Sequence, residues 1–234
     1  MIMRLSHLLR ARDDDAGIGL IEILVASLLG LLLMTSVGAA FISTSKLTNL
    51  AVQNRNSNGA ASNAMQELIE VIHLATPIAV PVTVTNPTGT TPAVVSATPK
   101  KLVIYSLVDV TNPVNPAPSL VTLDITTGSL VDSRCVGTLS SGFWTFTTCS
   151  STSTRTVAGT FIDPTAAQNS LFTYLDGNGA TLAISGGSLP GTSIASVASI
   201  IISVNLLAPR SNTRPAYLQS KTGMPNVGLQ QETS

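Results

Sequence analysis

The stretch of sequence that decides the fold runs from Ile23 to Ile42 and reads ILVASLLGLLLMTSVGAAFI. These 20 residues carry no charge, and uncharged sequence continues to Ser45. As an α-helix rising 1.5 Å per residue, the stretch would extend about 30 Å, which matches the hydrocarbon core of a bilayer. It therefore predicts a helix that can cross a membrane once.

Charged residues flank this stretch unevenly. Arg4, Arg10 and Arg12 precede it, and the next basic residue along the chain is Lys46. Because basic segments tend to stay on the cytoplasmic side, residues 1–17 are expected in the cytoplasm and the body of the chain outside. The expected location is the cytoplasmic membrane, crossed by a single span.

The composition of the 234 residues excludes one class of partner. Lys plus Arg number 12 and Asp plus Glu number 12, so the formal net charge is zero. Charged residues make up 10% of the chain, whereas an average globular protein has about 25%. The sequence lacks the basic surface that nucleic-acid binding requires, and no nucleic-acid partner is expected.

A short motif joins the charged leader to the apolar stretch. It reads Gly17-Ile18-Gly19-Leu20-Ile21-Glu22 and continues directly into uncharged sequence. The motif resembles the N-terminus of the type IV prepilin family, in which a hydrophilic leader ends in Gly, an apolar residue follows, and the fifth residue after the cut is Glu. It differs in having Ile18 where Phe is usual and Gly19 where Thr or Ser is common.

The resemblance implies a processing pathway. A prepilin peptidase would cut between Gly17 and Ile18, removing the leader of residues 1–17, and Ile18 would then be N-methylated. Glu22 of one subunit would pair with the Ile18 amine of a neighbour and set helix register, because an unpaired carboxylate is costly in a low dielectric. The implied partners are this peptidase, other pilin subunits and the pilus assembly machinery, and the implied final location is a cell-surface filament.

Two other interpretations of the N-terminus stay open. A secretory signal peptide would be cleaved after the small residues Val37-Gly38-Ala39. A plain membrane anchor would leave Glu22 unexplained, since a carboxylate in a membrane helix costs about 2.5 kcal/mol or less near its edge. Either one would make the protein a membrane-anchored or secreted β-rich binding domain, whereas the resemblance implies a minor subunit of a type IV pilus or related pseudopilus.

After Ile42 the helical pattern becomes amphipathic. Apolar residues recur at helical spacing with charged and amide residues between them, namely at Ala61, Met65, Leu68 or Ile69, and Ile72. We expect a helix over residues 18–75, membrane-spanning at 18–42, that ends before Pro77. The Asn-rich residues 53–59 predict a weak point in it.

The remainder predicts a linker and a β-rich head. The Pro- and Thr-rich residues 76–100 indicate an extended loop or an irregular edge strand, and residues 101–234 a globular head. The expected fold class is α+β and pilin-like, with the long helix packed on an antiparallel sheet. Predicted strands are Lys101–Val110, Leu120–Thr126, Gly142–Cys149, Arg155–Ile162, Leu171–Leu175, Ala180–Ser185 and Ile194–Leu207.

One part of the head carries a hairpin signal. Asp176-Gly177-Asn178-Gly179 lies between two strand-like runs, and its Asn and Gly tolerate the positive φ of a tight turn. Phe172–Gly179 and the strand Val197–Val204 also resemble the C-terminal part of minor pilins and larger pseudopilins. Ile200–Ile202 predicts a central strand. Some pseudopilins bind calcium at such a turn, but the sequence favours a plain turn because further acidic ligands are absent nearby.

The cysteines and the remaining polar residues indicate a structural protein. Cys135 and Cys149 are the only cysteines, and an even pair outside the membrane favours a disulfide. His7 and His73 do not complete a zinc site, and no metal or other cofactor is expected. No catalytic pattern is present, so we do not expect an enzyme. The lone Trp144 is expected in the core.

Overall fold

The computed structural model describes residues 19–83, 86–108, 116–126, 128–149, 151–159, 161–162, 170–207 and 215–228. The predicted processing residues Gly17 and Ile18 lie outside this part. The chain divides into two compact units, with the division between Ala51 and Val52.

A single long helix, α1, runs from Leu20 to His73 over 54 residues. It begins at Gly19, whose carbonyl accepts the backbone N–H groups of Glu22 at 2.8 Å and Ile23 at 3.3 Å. The backbone stays helical through residues 53–59, so the low propensity of this Asn-rich stretch does not interrupt it. The helix ends before Pro77, which confirms that expectation.

The last third of α1 buries one face. The buried residues recur every three or four positions, as the sequence predicts, and are Ala61, Ala64, Met65, Leu68, Val71 and Ile72. Of the two alternatives at the third position, Leu68 is fully buried while Ile69 packs at the margin of the core. The amphipathic pattern therefore identified the packed face correctly.

The second unit contains short strands and two single-turn helices. The strands are β1 (Ile78–Ala79), β2 (Thr90–Thr91), β3 (Val94–Ala97), β4 (Lys101–Ser106), β5 (Ser119–Thr126), β6 (Ser129–Val136), β7 (Thr138–Ser140), β8 (Phe143–Thr145), β9 (Ser151–Ala158), β10 (Phe172–Leu175), β11 (Ser199–Leu206) and β12 (Ala216–Gly223). The helices are α2 (Gly191–Ile194) and α3 (Pro225–Gly228).

The main sheet has five antiparallel strands in the order β3-β4-β5-β6-β9. Burial alternates along its central strands, because successive side chains of a strand point to opposite faces. Val121, Leu123 and Leu130 are fully buried and belong to the same apolar core as the packed face of α1. A direct bond joins the two layers, since the buried Ser106 hydroxyl donates to the Val71 carbonyl of α1 at 2.8 Å.

A second antiparallel sheet has the order β10-β11-β12. Ile200 and Ile202 lie in its middle strand, which confirms the predicted central strand. Buried Tyr174 connects this sheet to the main one, because its hydroxyl donates to the Thr98 carbonyl at 2.8 Å. Two small hairpins, β1-β2 and β7-β8, complete the pairing among the described strands. The long helix packed on antiparallel sheets confirms the predicted α+β class and is consistent with a pilin-like arrangement.

One predicted strand is absent, and two observed strands were not predicted. Residues Ala180–Ser185 do not form a strand: the turn after β10 is present, but pairing beyond it is limited to one bridge between Leu175 and Thr181. The chain then turns again at Gly186 and Gly187, both at positive φ. Strands β6 and β12 were not predicted, because their sequences SLVDSRCV and AYLQSKTG place polar residues at buried or edge positions.

The segment of residues 76–100 contributes to the core. It was predicted as an extended loop or an irregular edge strand, and β3 does lie at the edge of the main sheet. However, Val94 and Ala97 of this strand are buried, with 3% and 1% of their surface exposed. Residues of this segment therefore belong to the core, which its Pro-rich composition did not indicate.

Leu68→Ala tests the packing of α1 on the sheet. Leu68 is fully buried, so the change should lower the free energy of unfolding by about 2–5 kcal/mol through lost burial and a residual cavity. Urea unfolding of the detergent-solubilised chain, followed by near-UV circular dichroism, measures this. Leu47→Ala is the control, because Leu47 is 64% exposed and the same change there should alter head stability by less than about 0.5 kcal/mol.

Candidate functional site

The first unit presents an apolar surface on all sides of its helix. The exposed large apolar side chains are Leu20, Ile21, Ile23, Leu24, Val25, Leu28, Leu29, Leu31, Leu32, Leu33, Met34, Val37, Phe41, Ile42 and Leu47. In the described part of the chain, α1 is the one helix long and apolar enough to cross a membrane, and none of its most apolar window is buried. A surface of this kind requires lipid or other helices around it, which supports membrane anchoring.

The hydroxyl groups of this segment bond within the helix. Ser27, Thr35 and Ser36 each donate to the backbone carbonyl three residues earlier at 2.9 Å, and Thr44 donates to the carbonyl of Ala40 at 2.9 Å. In hydrocarbon, where water is absent, polar groups must be satisfied internally. These side chains therefore fit an apolar environment at little cost.

Glu22 is the only charged residue between Gly19 and Ser45, and it lies in the first turn of α1. The helix dipole favours a carboxylate there by about 0.3–1 kcal/mol. That gain is smaller than the 2.5–3.5 kcal/mol that a charge costs at the centre of a bilayer. If the first turn of α1 enters an apolar environment, the Glu22 carboxylate therefore needs a positively charged partner. Ile18, whose amine was predicted to be that partner, lies outside the described residues.

A shallow apolar depression lies further along the same helix. It is lined by Leu33, Met34, Val37, Gly38 and Phe41. A Cβ added at Gly38 would meet no atom within 4 Å, so this glycine does not serve packing inside the unit. The depression would admit a side chain from another helix, as small residues do in membrane helices.

The predicted disulfide is present in the head. The sulfur atoms of Cys135 and Cys149 are bonded, and their Cα atoms lie 5.3 Å apart. The bond closes the loop that contains the β7-β8 hairpin, whose turn is formed by Ser141 and Gly142, both at positive φ. It therefore fixes the end of β6 next to the start of β9.

Trp144 does not lie in the core, so that expectation was wrong. It is partly exposed in β8 and pairs across the small hairpin with Leu139, which is 51% exposed. A neighbouring aromatic holds the hairpin against the sheet, because the ring of Phe146 lies 4.9 Å from that of Tyr105. Sequence alone did not reveal this, since a single Trp in a β-rich head is usually buried.

Sequence reasoning missed a cluster of charges between α1 and the main sheet. Glu67 of α1 pairs with Arg134 of β6 and with Arg155 of β9. The side chain of Asp132 is fully buried beside them, and its Oδ2 lies 2.8 Å from Nη2 of Arg134 and 3.3 Å from Nε of Arg155. Two positive and two negative groups thus neutralise one another where the helix crosses the sheet.

The electrostatics of this cluster favour the charged forms of its cations. Burial acts to lower the pKa of Arg155, but hydrogen bonds and attraction from Glu67 and Asp132 raise it above its ordinary value. Asp132 Oδ1 is buried and has no hydrogen-bond partner in the described structure. The cluster connects the helix to the sheet, because Oε1 of Glu67 and Oδ2 of Asp132 both face guanidinium groups, which stay charged.

The other candidate ligands do not converge. Within the described ranges no three His, Cys, Asp or Glu side chains lie close enough together to hold a metal ion. Asp176 Oδ1 accepts the backbone N–H groups of Asn178 at 2.9 Å and Ala180 at 2.8 Å, so this oxygen stabilises the turn. His73 is exposed at the end of α1.

Comparisons with known proteins identify no family for this chain. No protein-family model matches the chain, and no curated protein matches it.

Glu67→Gln tests the charge cluster. Removal of one negative charge leaves two guanidinium groups facing Asp132 alone, and the free energy of unfolding should fall by about 2 kcal/mol. This is less than the 3–5 kcal/mol of a fully buried pair because Arg155 is 53% exposed to solvent. Urea unfolding measures the change. Glu70→Gln is the matched control, since Glu70 is exposed on the same helix and should have little effect.

Replacement of both cysteines tests the disulfide. Cys135→Ser combined with Cys149→Ser frees a loop of about 15 residues and should lower the free energy of unfolding by about 3 kcal/mol. Thermal unfolding with and without a reducing agent measures this. The reductant should destabilise the native chain and leave the double variant unchanged, and equal effects on both would contradict the prediction.

Proposed function

We propose that this protein is a structural subunit, a minor one, of a type IV pilus or a related pseudopilus. It is inserted in the cytoplasmic membrane as a prepilin, with its head outside. It is cleaved after Gly17, N-methylated at Ile18 and assembled through its apolar helix into a cell-surface filament. The protein is the substrate of the processing peptidase, and it has no catalytic role and no cofactor of its own.

One observation carries the proposal. Among the described residues of the first unit, the helix exposes apolar side chains on every side, and their single carboxylate, Glu22, lies in its first turn. A membrane anchor would need the apolar surface but not the carboxylate. A filament made of packed helices would use both, since the apolar surface binds neighbours and the carboxylate sets their register.

The proposed pairing follows from charge. Cleavage between Gly17 and Ile18 would create an amine four residues before Glu22. Between apolar helices, the carboxylate and the amine of neighbouring subunits would each lose water, and pairing would offset that cost. Because one pair forms for each subunit at a defined depth, misaligned helices would leave both charges unpaired. Glu22 therefore contributes specificity of register more than bulk stability.

The head supports a structural role through its rigidity. The Ser106–Val71 bond and the charge cluster at Glu67 hold the sheet on the second part of α1, and the disulfide fixes β6 next to β9. A subunit transferred from membrane to filament must keep its fold through that step, and these connections serve that need.

Mass spectrometry of the N-terminal peptide, from protein recovered from the native host, tests the proposal directly. We expect a chain that begins at Ile18 with one added methyl group. A start at Ala40 would indicate ordinary secretion, and an intact Met1 would indicate a plain membrane anchor. Either result would overturn the proposal.

Glu22→Ala separates assembly from insertion. The variant should enter the membrane and lose its leader normally, because the apolar stretch and Gly17 are unchanged. Its incorporation into filaments should fall at least about tenfold if the Glu22 pairing contributes about 1.4 kcal/mol or more. Immunoblots of sheared filaments and of membranes measure both quantities. Glu70→Ala is the control and should assemble normally, and normal incorporation of Glu22→Ala would contradict the assigned role.

A further inference from the structure

One stretch of α1, residues 53–59, has little helix propensity of its own. It reads QNRNSNG. Asn and Ser are less favourable in a helix than Ala because their side chains compete for backbone hydrogen bonds, and Gly loses the most backbone freedom. Along the chain no acidic residue lies between Glu22 and Glu67, so Arg55 has no ion-pair partner one turn away on the helix. The sequence of this stretch therefore does little to stabilise its helical form.

Packing compensates little for this composition. The three Asn residues and Gly59 are exposed, and a Cβ added at Gly59 would meet no atom within 4 Å. The stretch lies between the apolar part of α1, Ile23–Ile42, and its packed part, Ala61–Ile72, which carries the buried face. Lipid or other helices suit the first part, and the sheet holds the second. Residues 53–59 have neither kind of support.

Gln53 adds a specific cost to the closed helix. Its side-chain oxygen Oε1 is buried and has no hydrogen-bond partner in the described structure. A buried polar atom without a partner loses its hydration and gains no hydrogen bond in return. Opening of the helix at this point would return the oxygen to water. The burial of Gln53 therefore favours the opened form.

The backbone is helical here because helix growth is cooperative. Extension of an existing helix avoids the unfavourable step of nucleation, and helical turns lie on both sides of residues 53–59. The stretch is therefore helical with only a small free-energy difference from an opened form. Segments with few buried apolar contacts are the ones that open locally in native proteins.

We propose that residues 53–59 form a joint in α1, at which the helix opens and bends reversibly while the turns on both sides stay closed. A helix of 54 residues is about 81 Å long. If it were stiff throughout, a change in direction of its apolar part would pull on the face packed against the sheet. The joint absorbs that change in a few residues, as hinges do, and leaves the core undisturbed. It depends on the helix alone and does not require the proposed function.

Hydrogen–deuterium exchange of the full-length chain in detergent micelles tests the opening. We expect the backbone amides of residues 54–60, corrected for intrinsic rates, to exchange about hundredfold faster than those of residues 64–72 in the packed part. Mass spectrometry of overlapping peptic peptides resolves the two ranges. Equal protection in both would overturn the joint. Neither cleavage of the leader nor filament assembly enters this measurement, so failure of the proposed function would not alter it.

A variant with a stronger helix provides a second readout. It combines four changes, namely Asn54→Ala, Asn56→Ala, Asn58→Ala and Gly59→Ala. Exchange over residues 54–60 should slow about hundredfold, because Ala has the highest helix propensity. The control combines Ser62→Ala with Asn63→Ala, both exposed in the packed part, and should leave exchange over residues 54–60 unchanged. Unaltered exchange in the four-Ala variant would contradict the joint.

Spin-label distances test the bending. Labels at Asn49→Cys and Ser62→Cys span the joint, and labels at Ser27→Cys and Ala40→Cys span an equal length of the apolar part. All four positions are exposed, and each pair lies about 20 Å apart along a straight helix. We expect the distance distribution across the joint to be at least about twice as wide as in the apolar part, and to narrow in the four-Ala variant. Equal widths in the unaltered stretch would overturn the proposal.

Discussion

The head depends on the contact between one face of α1 and the main sheet. Ala61, Ala64 and Leu68 are completely buried there, and small residues at two of these three positions let the helix lie close to the strands. Burial of apolar surface is non-directional, so it would allow the helix to slide or rotate. The Ser106–Val71 hydrogen bond and the pairing of Glu67 with Arg134 are directional and select one position.

The same helix meets two different requirements along its length. From Ile23 to Ile42 its surface is mostly apolar on all sides and suits lipid or other helices, whereas from Ala61 onward only one face is apolar and packs on strands. The charge pattern follows this change, since Glu67 and Glu70 belong to the amphipathic part and Glu22 stands alone in the apolar part. A protein that is first a membrane component and then a filament component would need this division.

The head has a similar asymmetry at its sheet edges. The edges at β3 and β10 are closed by the chain itself, whereas β9 and β12 form no backbone hydrogen bond outside their own sheets within the described residues. The disulfide between Cys135 and Cys149 fixes the start of β9 beside β6.

Local patterns in the sequence determined the long helix, its packed face, the hairpin turn at Asp176, the central strand at Ile200 and the α+β class. Each of these depends on residues close together in the chain, where periodicity and turn chemistry act directly. Only the tertiary structure decided that the polar segments Ser129–Val136 and Ala216–Gly223 become strands. It also decided that Trp144 lies outside the core and that Asp132 is buried among two arginines. These outcomes depend on partners that are distant in sequence, such as Glu67 for Arg155, and no local pattern encodes such a pairing.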